Sequence, residues 1–167
     1  ADLALRHRAF ADRFEVPLKA GWRPHANAPD PERALRVGLV SADFRRHPVG
    51  YFMADLLGGL KSTGLELIAY YSGGEHDDMT ERIKPLFAAW RECSMSDDAL
   101  ADQIRADGID ILVDLGGHTK GNRLLVFARK PAPVQVTYLG YFDTTGLDAM
   151  DYILGNRWLL PEAEDGL

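Results

Sequence analysis

The chain has 167 residues, of which 46% are hydrophobic and 26% are charged, values that suit one globular domain and exclude a disordered or low-complexity chain. The 19 lysines and arginines against 25 aspartates and glutamates give a net charge of −6, which disfavours nucleic acid as a partner. No apolar run reaches the ~18–20 residues that a membrane span needs. The single cysteine, Cys93, excludes an intrachain disulfide and a cysteine-based zinc site. We interpret Cys93 as a small buried residue. We therefore expect a cytoplasmic enzyme domain of bacterial type.

The N-terminal part of the chain predicts a helix followed by a linker. A helix is expected over residues 3–16, because large side chains recur every three or four positions, at Leu3, His7, Phe10 and Phe14. Residues 17–35 hold four prolines and are expected to form a linker or a strap across the surface. The regular fold is therefore expected to begin at Arg36.

From Arg36 onward, predicted strands alternate with predicted helices. The strands are expected at 36–41, 65–71, 90–95, 109–115, 133–139 and 152–154. The helices are expected at 50–61, at 77–88, between Ser96 and Gly108, and at 122–129. This alternation predicts an α/β fold with a doubly wound, mostly parallel sheet of Rossmann-like type.

Two of these helices carry further local predictions. Helix 50–61 is expected because Phe52, Leu56 and Leu60 lie four residues apart. In helix 77–88, Asp78 with Glu81 resembles a capping box, and Pro85 is expected to shorten the helix.

Ligands of doubly wound sheets bind beyond the carboxyl ends of the strands, which selects the loops at 42–49, 116–121 and 140–146. In the first loop, His47 is suited to act as a general base or to hold a phosphate or hydroxyl group. The alternative is that His47 orders the turn through a hydrogen bond to a backbone carbonyl.

The second loop is rich in glycine and follows Asp114. Glycine lets a backbone approach a ligand closely, and the helix after the loop offers free N–H groups to an anion, although the spacing matches neither a Walker A loop nor a dinucleotide loop. Asp114 either points into the cleft, pairs with a nearby base, or caps the amides of the loop. His118 is interpreted as a ligand contact, because the flanking glycines leave it little to pack against.

The third loop presents two rings, Tyr141 and Phe142, and two hydroxyl groups, which suits a sugar or a peptide; alternatively the rings belong to the core. The remaining histidines are interpreted as surface or linker residues, namely His7, His25 and His76. No pair of histidines has the spacing of metal ligands on one helix, so no metal site is expected.

Three blocks of sequence, in order, resemble the catalytic region of the O-linked N-acetylglucosamine transferases, including their SPINDLY-type and bacterial members. The first block is RVGLVSADF at 36–44 with HPVG at 47–50, and the second is DGIDILVDL at 107–115 with GHT at 117–119 and GNR at 121–123. The third comprises FA at 127–128, PAPVQV at 131–136 and LGY at 139–141, followed by TTG at 144–146 and MDY at 150–152. The leading helix is similar to the segment that joins such domains to tetratricopeptide repeats.

The family has two Rossmann-like domains that face each other across a cleft, and the resemblance implies that this chain is the N-terminal one. It divides the chain into a connector at 1–35 and a catalytic half-domain at 36–167. Because the chain starts with Ala1 and stops at Leu167, soon after an apolar segment, we expect a piece of a longer protein, inactive alone, rather than a processed chain with a short tail. The expected partners are the missing C-terminal domain, upstream tetratricopeptide repeats, a nucleotide sugar and a protein acceptor, with neither nucleic acid nor a membrane.

The implied reaction transfers N-acetylglucosamine from its UDP donor to Ser or Thr of a protein, with inversion and without a metal or cofactor. Carried over by position, the candidate catalytic residues are His47 and Asp114, and the candidate substrate-binding residues are His118, Thr119, Gly140, Tyr141 and Thr144. The family loop usually reads Leu-Gly-Tyr-Pro-Gly-Thr, whereas Phe142 and Asp143 replace Pro-Gly here. This difference leaves two alternatives open: a fucosyltransferase that uses GDP-fucose, and a non-catalytic module that binds a peptide or protein.

Overall fold

A six-stranded sheet organises the computed structural model, which describes residues 2–30 and 32–156. Its strands are β1 Arg36–Ser41, β2 Glu66–Tyr71, β3 Ala89–Glu92, β4 Ile111–Asp114, β5 Val134–Tyr138 and β6 Tyr152–Leu154. They lie in the order β3-β2-β1-β4-β5-β6, and every neighbouring pair is parallel. This is the doubly wound order, whose topological switch point lies between β1 and β4, so the predicted fold class is confirmed.

Helices cover both faces of the sheet. They are α1 Asp2–Phe14, α2 Pro48–Leu60, α3 Asp78–Ile83, α4 Asp97–Ala106 and α5 Leu124–Phe127, with short 3₁₀ helices at Val16–Gly21 and Lys84–Leu86. No helix within the described part of the chain combines the length and apolarity needed to cross a membrane.

The core is divided by the sheet into two apolar layers, which explains why the strands are continuously apolar. Alternate residues of each strand enter opposite layers: Leu112 packs with α4 and α5, whereas its neighbour Val113 packs with α2 and α3. Cys93 is buried in the first layer, as predicted, and burial raises the pKa of its thiol to about 11.

Polar side chains at the helix starts explain where α3 and α4 begin. The Ser96 hydroxyl accepts a hydrogen bond from the amide of Ala99 at 3.3 Å and so caps α4, as predicted. The capping box of α3 is formed by Asp77 and Thr80, one position before the predicted pair. The α-helix ends at Ile83, and the 3₁₀ helix that follows contains Pro85, in line with the expected shortening.

The predicted helix is present as α2, but the spacing that predicts it does not identify its buried face. Val49, Met53 and Leu57 are buried, whereas Phe52 is 63% exposed and Leu56 is also exposed. Apolar residues occur around most of this helix, so their spacing fits more than one face. Packing against α3 and against the strands β1, β2 and β4, rather than periodicity, therefore selects the buried side.

The segment predicted as a linker is fastened to the sheet at several points. Residues 16–21 form a 3₁₀ helix, and the indole of Trp22 donates to the carbonyl of Ala128 at 2.8 Å. Further along, Asn27 and Arg33 both donate to the carboxylate of Asp110, which lies immediately before β4. This segment therefore contributes to the packing of the Rossmann-like unit.

Candidate active site

Three loops meet at the carboxyl edge of the sheet, beside the switch point between β1 and β4. A narrow crevice there is bounded on one side by residues 41–43, which end β1 and begin the first loop. On the other side it is bounded by Asp114, Gly116 and residues 119–123 of the second loop. The first two of the three predicted loops thus line one crevice, and the third packs behind them.

His47 caps α2. Its Nδ1 accepts a hydrogen bond from the amide of Val49 at 3.3 Å, and Asp43 lies 3.8 Å from the same nitrogen. A neutral imidazole whose Nδ1 accepts carries its proton on Nε2. His47 therefore orders the turn by accepting from an amide rather than by donating to a carbonyl, and with 40% of its side chain exposed it keeps a free N–H donor.

Asp114 faces the loop rather than the crevice opening. Only 1% of the residue is exposed, and its carboxylate accepts from the amides of Gly116 at 3.0 Å and Gly117 at 2.8 Å and from the hydroxyl of Thr137 at 3.0 Å. Burial raises its pKa, against the opposing effect of these hydrogen bonds. The geometry supports capping of the loop amides, the alternative to a catalytic role.

Thr119 and Gly140 hold the loops together. The Thr119 hydroxyl donates to the carbonyl of Gly116 at 2.7 Å and closes the turn of the second loop. A Cβ at Gly140 would overlap the carbonyl oxygen of Leu115, and a Cβ at Gly117 would overlap the side chain of Tyr141. The second and third loops are therefore interlocked, and glycine is required where they cross.

The ring of His118 packs against α1, which corrects the expectation that little surrounds it. Its Nε2 donates to the carbonyl of Thr145 at 2.8 Å, its ring stacks on His7 at 4.2 Å, and the ring of Phe10 meets it edge-on at 5.0 Å. His7 is only 4% exposed, so its interpretation as a surface or linker residue is wrong. The sequence places these rings far apart, and only the docking of α1 brings them together.

The tip of the third loop is open to solvent. Phe142 is 72% exposed, so it does not belong to the core, whereas Tyr141 is half-buried and its hydroxyl lies 2.9 Å from Nε2 of His7. Thr144 is exposed; its hydroxyl accepts from the amide of Gly146 at 3.1 Å, and its own amide donates to Asp143 at 2.7 Å. The replaced pair, Phe142 and Asp143, thus sits at the tip and leaves the Gly140 crossing intact.

Glu15 is a site-supporting residue that the sequence analysis missed. It is fully buried at the end of α1, and its carboxylate accepts from the amides of Asp148 at 2.9 Å and Ala149 at 2.7 Å. Arg8 and Lys19 both form ion pairs with the Asp148 carboxylate. Lys19, four residues on, lies 4.0 Å from the Glu15 carboxylate. No local pattern marks the two buried amide contacts, because these amides lie more than 130 residues away in the chain.

A larger cavity, of about 550 Å³, opens at the amino edge of the sheet and is lined by several arginines. Three of them pair with carboxylates: Arg33 with Asp110, Arg36 with Glu66, and Arg23 with Asp102. The hydrogen bonds from Arg33 are the main cause that lowers the pKa of Asp110 to about 2. These charges serve the packing of the 22–35 segment, and we place the candidate site at the carboxyl edge, where doubly wound sheets bind ligands.

Within residues 2–30 and 32–156, no three His, Cys, Asp or Glu side chains converge as a metal site would require. Of the histidines outside the candidate site, His25 is half-buried against the carbonyl of Lys130, and His76 is exposed, as predicted for a surface residue.

Comparison with known proteins places the chain among glycosyltransferases. The model of glycosyl transferase family 41 matches residues 2–163. The chain is 36% identical over 151 residues to the probable UDP-N-acetylglucosamine–peptide N-acetylglucosaminyltransferase SPINDLY of Arabidopsis thaliana, covering 87% of this chain and 16% of that protein. It is 37% identical over 131 residues to the Arabidopsis thaliana protein SEC, which has the same description, covering 77% of this chain and 13% of that protein.

Among solved structures, a mutant of the O-GlcNAc transferase of Thermobaculum terrenum superposes with a TM-score of 0.89 and 41% sequence identity. The superposition covers 97% of this chain and 31% of that structure. The chain thus corresponds to less than a third of each of these proteins.

Proposed function

Because the chain belongs to glycosyl transferase family 41, we propose that it forms the N-terminal half of the sugar-transfer site of a protein O-glycosyltransferase. The proposed reaction transfers N-acetylglucosamine from UDP-N-acetylglucosamine to a Ser or Thr hydroxyl, in keeping with the names of the relatives. The observation that carries the proposal is the crevice at the switch point, where the family-like loops lie together. "Full-length protein" below means this chain with the second Rossmann-like domain and upstream repeats that we propose as its partners.

In this proposal His47 binds the substrate through its Nε2–H. The reaction forms a bond from the acceptor oxygen to the anomeric carbon while the bond to the diphosphate oxygen breaks, so negative charge develops on the leaving group. A fixed N–H donor stabilises such charge when it is held in place before the reaction. The imidazole of His47 is held in place by the hydrogen bond that its Nδ1 accepts from the Val49 amide.

We assign the general base to neither candidate residue in its observed state. Asp114 already accepts three hydrogen bonds out of reach of solvent. His47 presents a protonated nitrogen, and it would have to release its cap to accept a proton there. Positioning of the two substrates and stabilisation of charge are therefore the contributions that we assign to this half of the site.

The decisive experiment offers the full-length protein UDP-N-acetylglucosamine and GDP-fucose in separate incubations with lysate proteins. Sugar transfer is read by intact mass and nucleotide release by a coupled assay. We expect transfer from the UDP donor. Transfer from GDP-fucose alone would identify the protein as a fucosyltransferase. No transfer and no nucleotide release with either donor, in a folded protein, would favour a non-catalytic binding module.

Two variants at one position separate the roles of His47. Asparagine caps helices well and alanine does not, so H47N keeps the cap and removes the ring. If the ring binds substrate, both H47A and H47N lower turnover at least ~10²-fold. Near wild-type turnover of H47N would reduce His47 to a helix cap.

A further inference from the structure

The hydroxyl of Tyr141 in the third loop meets a buried imidazole from α1. Nε2 of His7 lies 2.9 Å from this hydroxyl, and the two rings meet edge-on with centroids 5.5 Å apart. The end of the third loop also lies close to α1, since a Cβ at Gly146 would overlap the backbone carbonyl of His7. His7 is thus fixed by the third loop on one side and by the ring of His118 on the other.

The second nitrogen of His7 reveals the direction of this hydrogen bond. Nδ1 of His7 is buried and has no hydrogen-bond partner. Were Tyr141 to donate to Nε2, the neutral ring would carry its proton on Nδ1 and bury an N–H without an acceptor. If instead Nε2 of His7 donates to Tyr141, Nδ1 is left as an unprotonated nitrogen without a donor. This second arrangement costs less, because a buried N–H without an acceptor is the rarer and more costly defect.

The ring is also held neutral by its surroundings. Burial, and then the neighbouring His118, lower the pKa of His7, whereas Asp143 has a smaller opposing effect. A protonated ring would bury the same unpaired N–H on Nδ1. The neutral ring with its proton on Nε2 is therefore the form that fits the site.

We propose that His7 is a positioning residue that donates to the Tyr141 oxygen and thereby leaves the Tyr141 hydroxyl proton free to bind an oxygen of the nucleotide sugar. A hydroxyl has one proton, and once its oxygen accepts from His7, that proton points to another partner. Tyr141 is half-buried, and its side chain packs against Gly117 of the second loop, whose neighbouring residues line the crevice. The proposal rests on the proposed function for the identity of the ligand, and on the geometry alone for the direction of the bond.

The direction of the bond is tested without any assay of activity. The chain has five histidines, and ¹⁵N-histidine labelling with H7F as the reference assigns the signals of His7. We expect a long-range ¹⁵N–¹H spectrum of the protonated-Nε2 tautomer that persists at neutral pH. A protonated-Nδ1 spectrum or a charged ring at pH 7 would overturn the proposal.

The consequence for the substrate is tested by kinetics in the full-length protein. H7F keeps an aromatic ring in the stack but removes the donor, Y141F removes the hydroxyl, and H7Q restores an N–H near the position of Nε2. We expect H7F and Y141F each to lower kcat/KM about tenfold, and the double variant to be no worse than either, because both changes remove one interaction. H7Q is expected to recover most of the loss, whereas the exposed-site control H76F has no effect.

Independent effects of H7F and Y141F that multiply in the double variant would show that His7 does not act through Tyr141. Loss of activity in H7F and H7Q alike, with a lowered unfolding midpoint, would assign His7 a purely structural role. If the wild-type protein transfers no sugar, the proposed function fails, and the tautomer spectrum still decides the direction of the bond.

Discussion

Removing the carboxylate of Asp114 is expected to destabilise the fold in a graded way. In D114N one carboxylate oxygen becomes an NH₂ group. The amide oxygen can still accept from Gly117 and Thr137, so only the Gly116 amide loses its acceptor and faces a second donor. An unsatisfied buried donor costs about 1–3 kcal/mol. Part of this is offset, because burial already penalises the charged form of Asp114, and we expect a net loss of about 1–2 kcal/mol.

Larger and smaller changes at the same cluster extend the series. D114A orphans all three donors and leaves a small void, so we expect a loss of about 3–5 kcal/mol. T137V removes one hydroxyl and is expected to cost about 1 kcal/mol. In D114A/T137V the hydroxyl that D114A would have orphaned is absent, so the double variant should be more stable than the sum of the two losses by about 1 kcal/mol.

Urea unfolding monitored by tryptophan fluorescence measures these losses as shifts of the midpoint at constant slope. Activity of the full-length variants is measured in parallel. Additive losses in the double variant would refute the assigned contact. Wild-type stability of D114N together with a loss of transfer above ~10³-fold would refute the capping role and return Asp114 to the chemistry.

Three further predictions concern other parts of the fold. Because the folded-state pKa of Asp110 is lowered to about 2, its contribution to the free energy of unfolding is present at neutral pH and is lost as the pH falls from about 4 toward 2. D110N should therefore cost about 2 kcal/mol at pH 7, and unfolding measured down to pH 2 should show this difference from wild type shrinking. The lowered pKa of His7 likewise gives stability that is present above pH ~6.5 and is lost as the pH falls through the folded pKa, and H7F should lack this component of the pH profile. G140A forces a Cβ into the Leu115 carbonyl and should cost more than about 2 kcal/mol, whereas the control G59A, on α2 with no atom within 4 Å, should stabilise by about 0.5–1 kcal/mol, as thermal unfolding would show.

The location of the candidate site could be predicted from the sequence because it follows from the parallel sheet. Continuously apolar strands alternating with helices imply one fold class, and that class places the ends of β1, β4 and β5 at one edge. The glycines of the loops were equally informative, since a side chain at Gly117 or Gly140 has no room. These features depend on local pattern and on general rules of topology.

The roles of single side chains could not be predicted in the same way. Asp114 was assigned more than one possible function because its spacing shows that it ends a strand but not whether amides or solvent meet its carboxylate. His7 was misjudged because a helical spacing marks a face of α1 without identifying Tyr141, its partner 134 residues away. The buried side of α2 could not be identified from its spacing for a related reason, since its apolar residues nearly encircle the helix.

The contacts of Glu15 also constrain the order in which the chain assembles. Its buried carboxylate accepts hydrogen bonds from the amides of Asp148 and Ala149, which a ribosome adds more than 130 residues later. Until then the C-terminal end of α1 has an acidic group with no place in an apolar interior. We expect α1 to stay undocked during synthesis and to close over the finished sheet as a late step, so that the earliest segment of the chain is among the last to reach its native position.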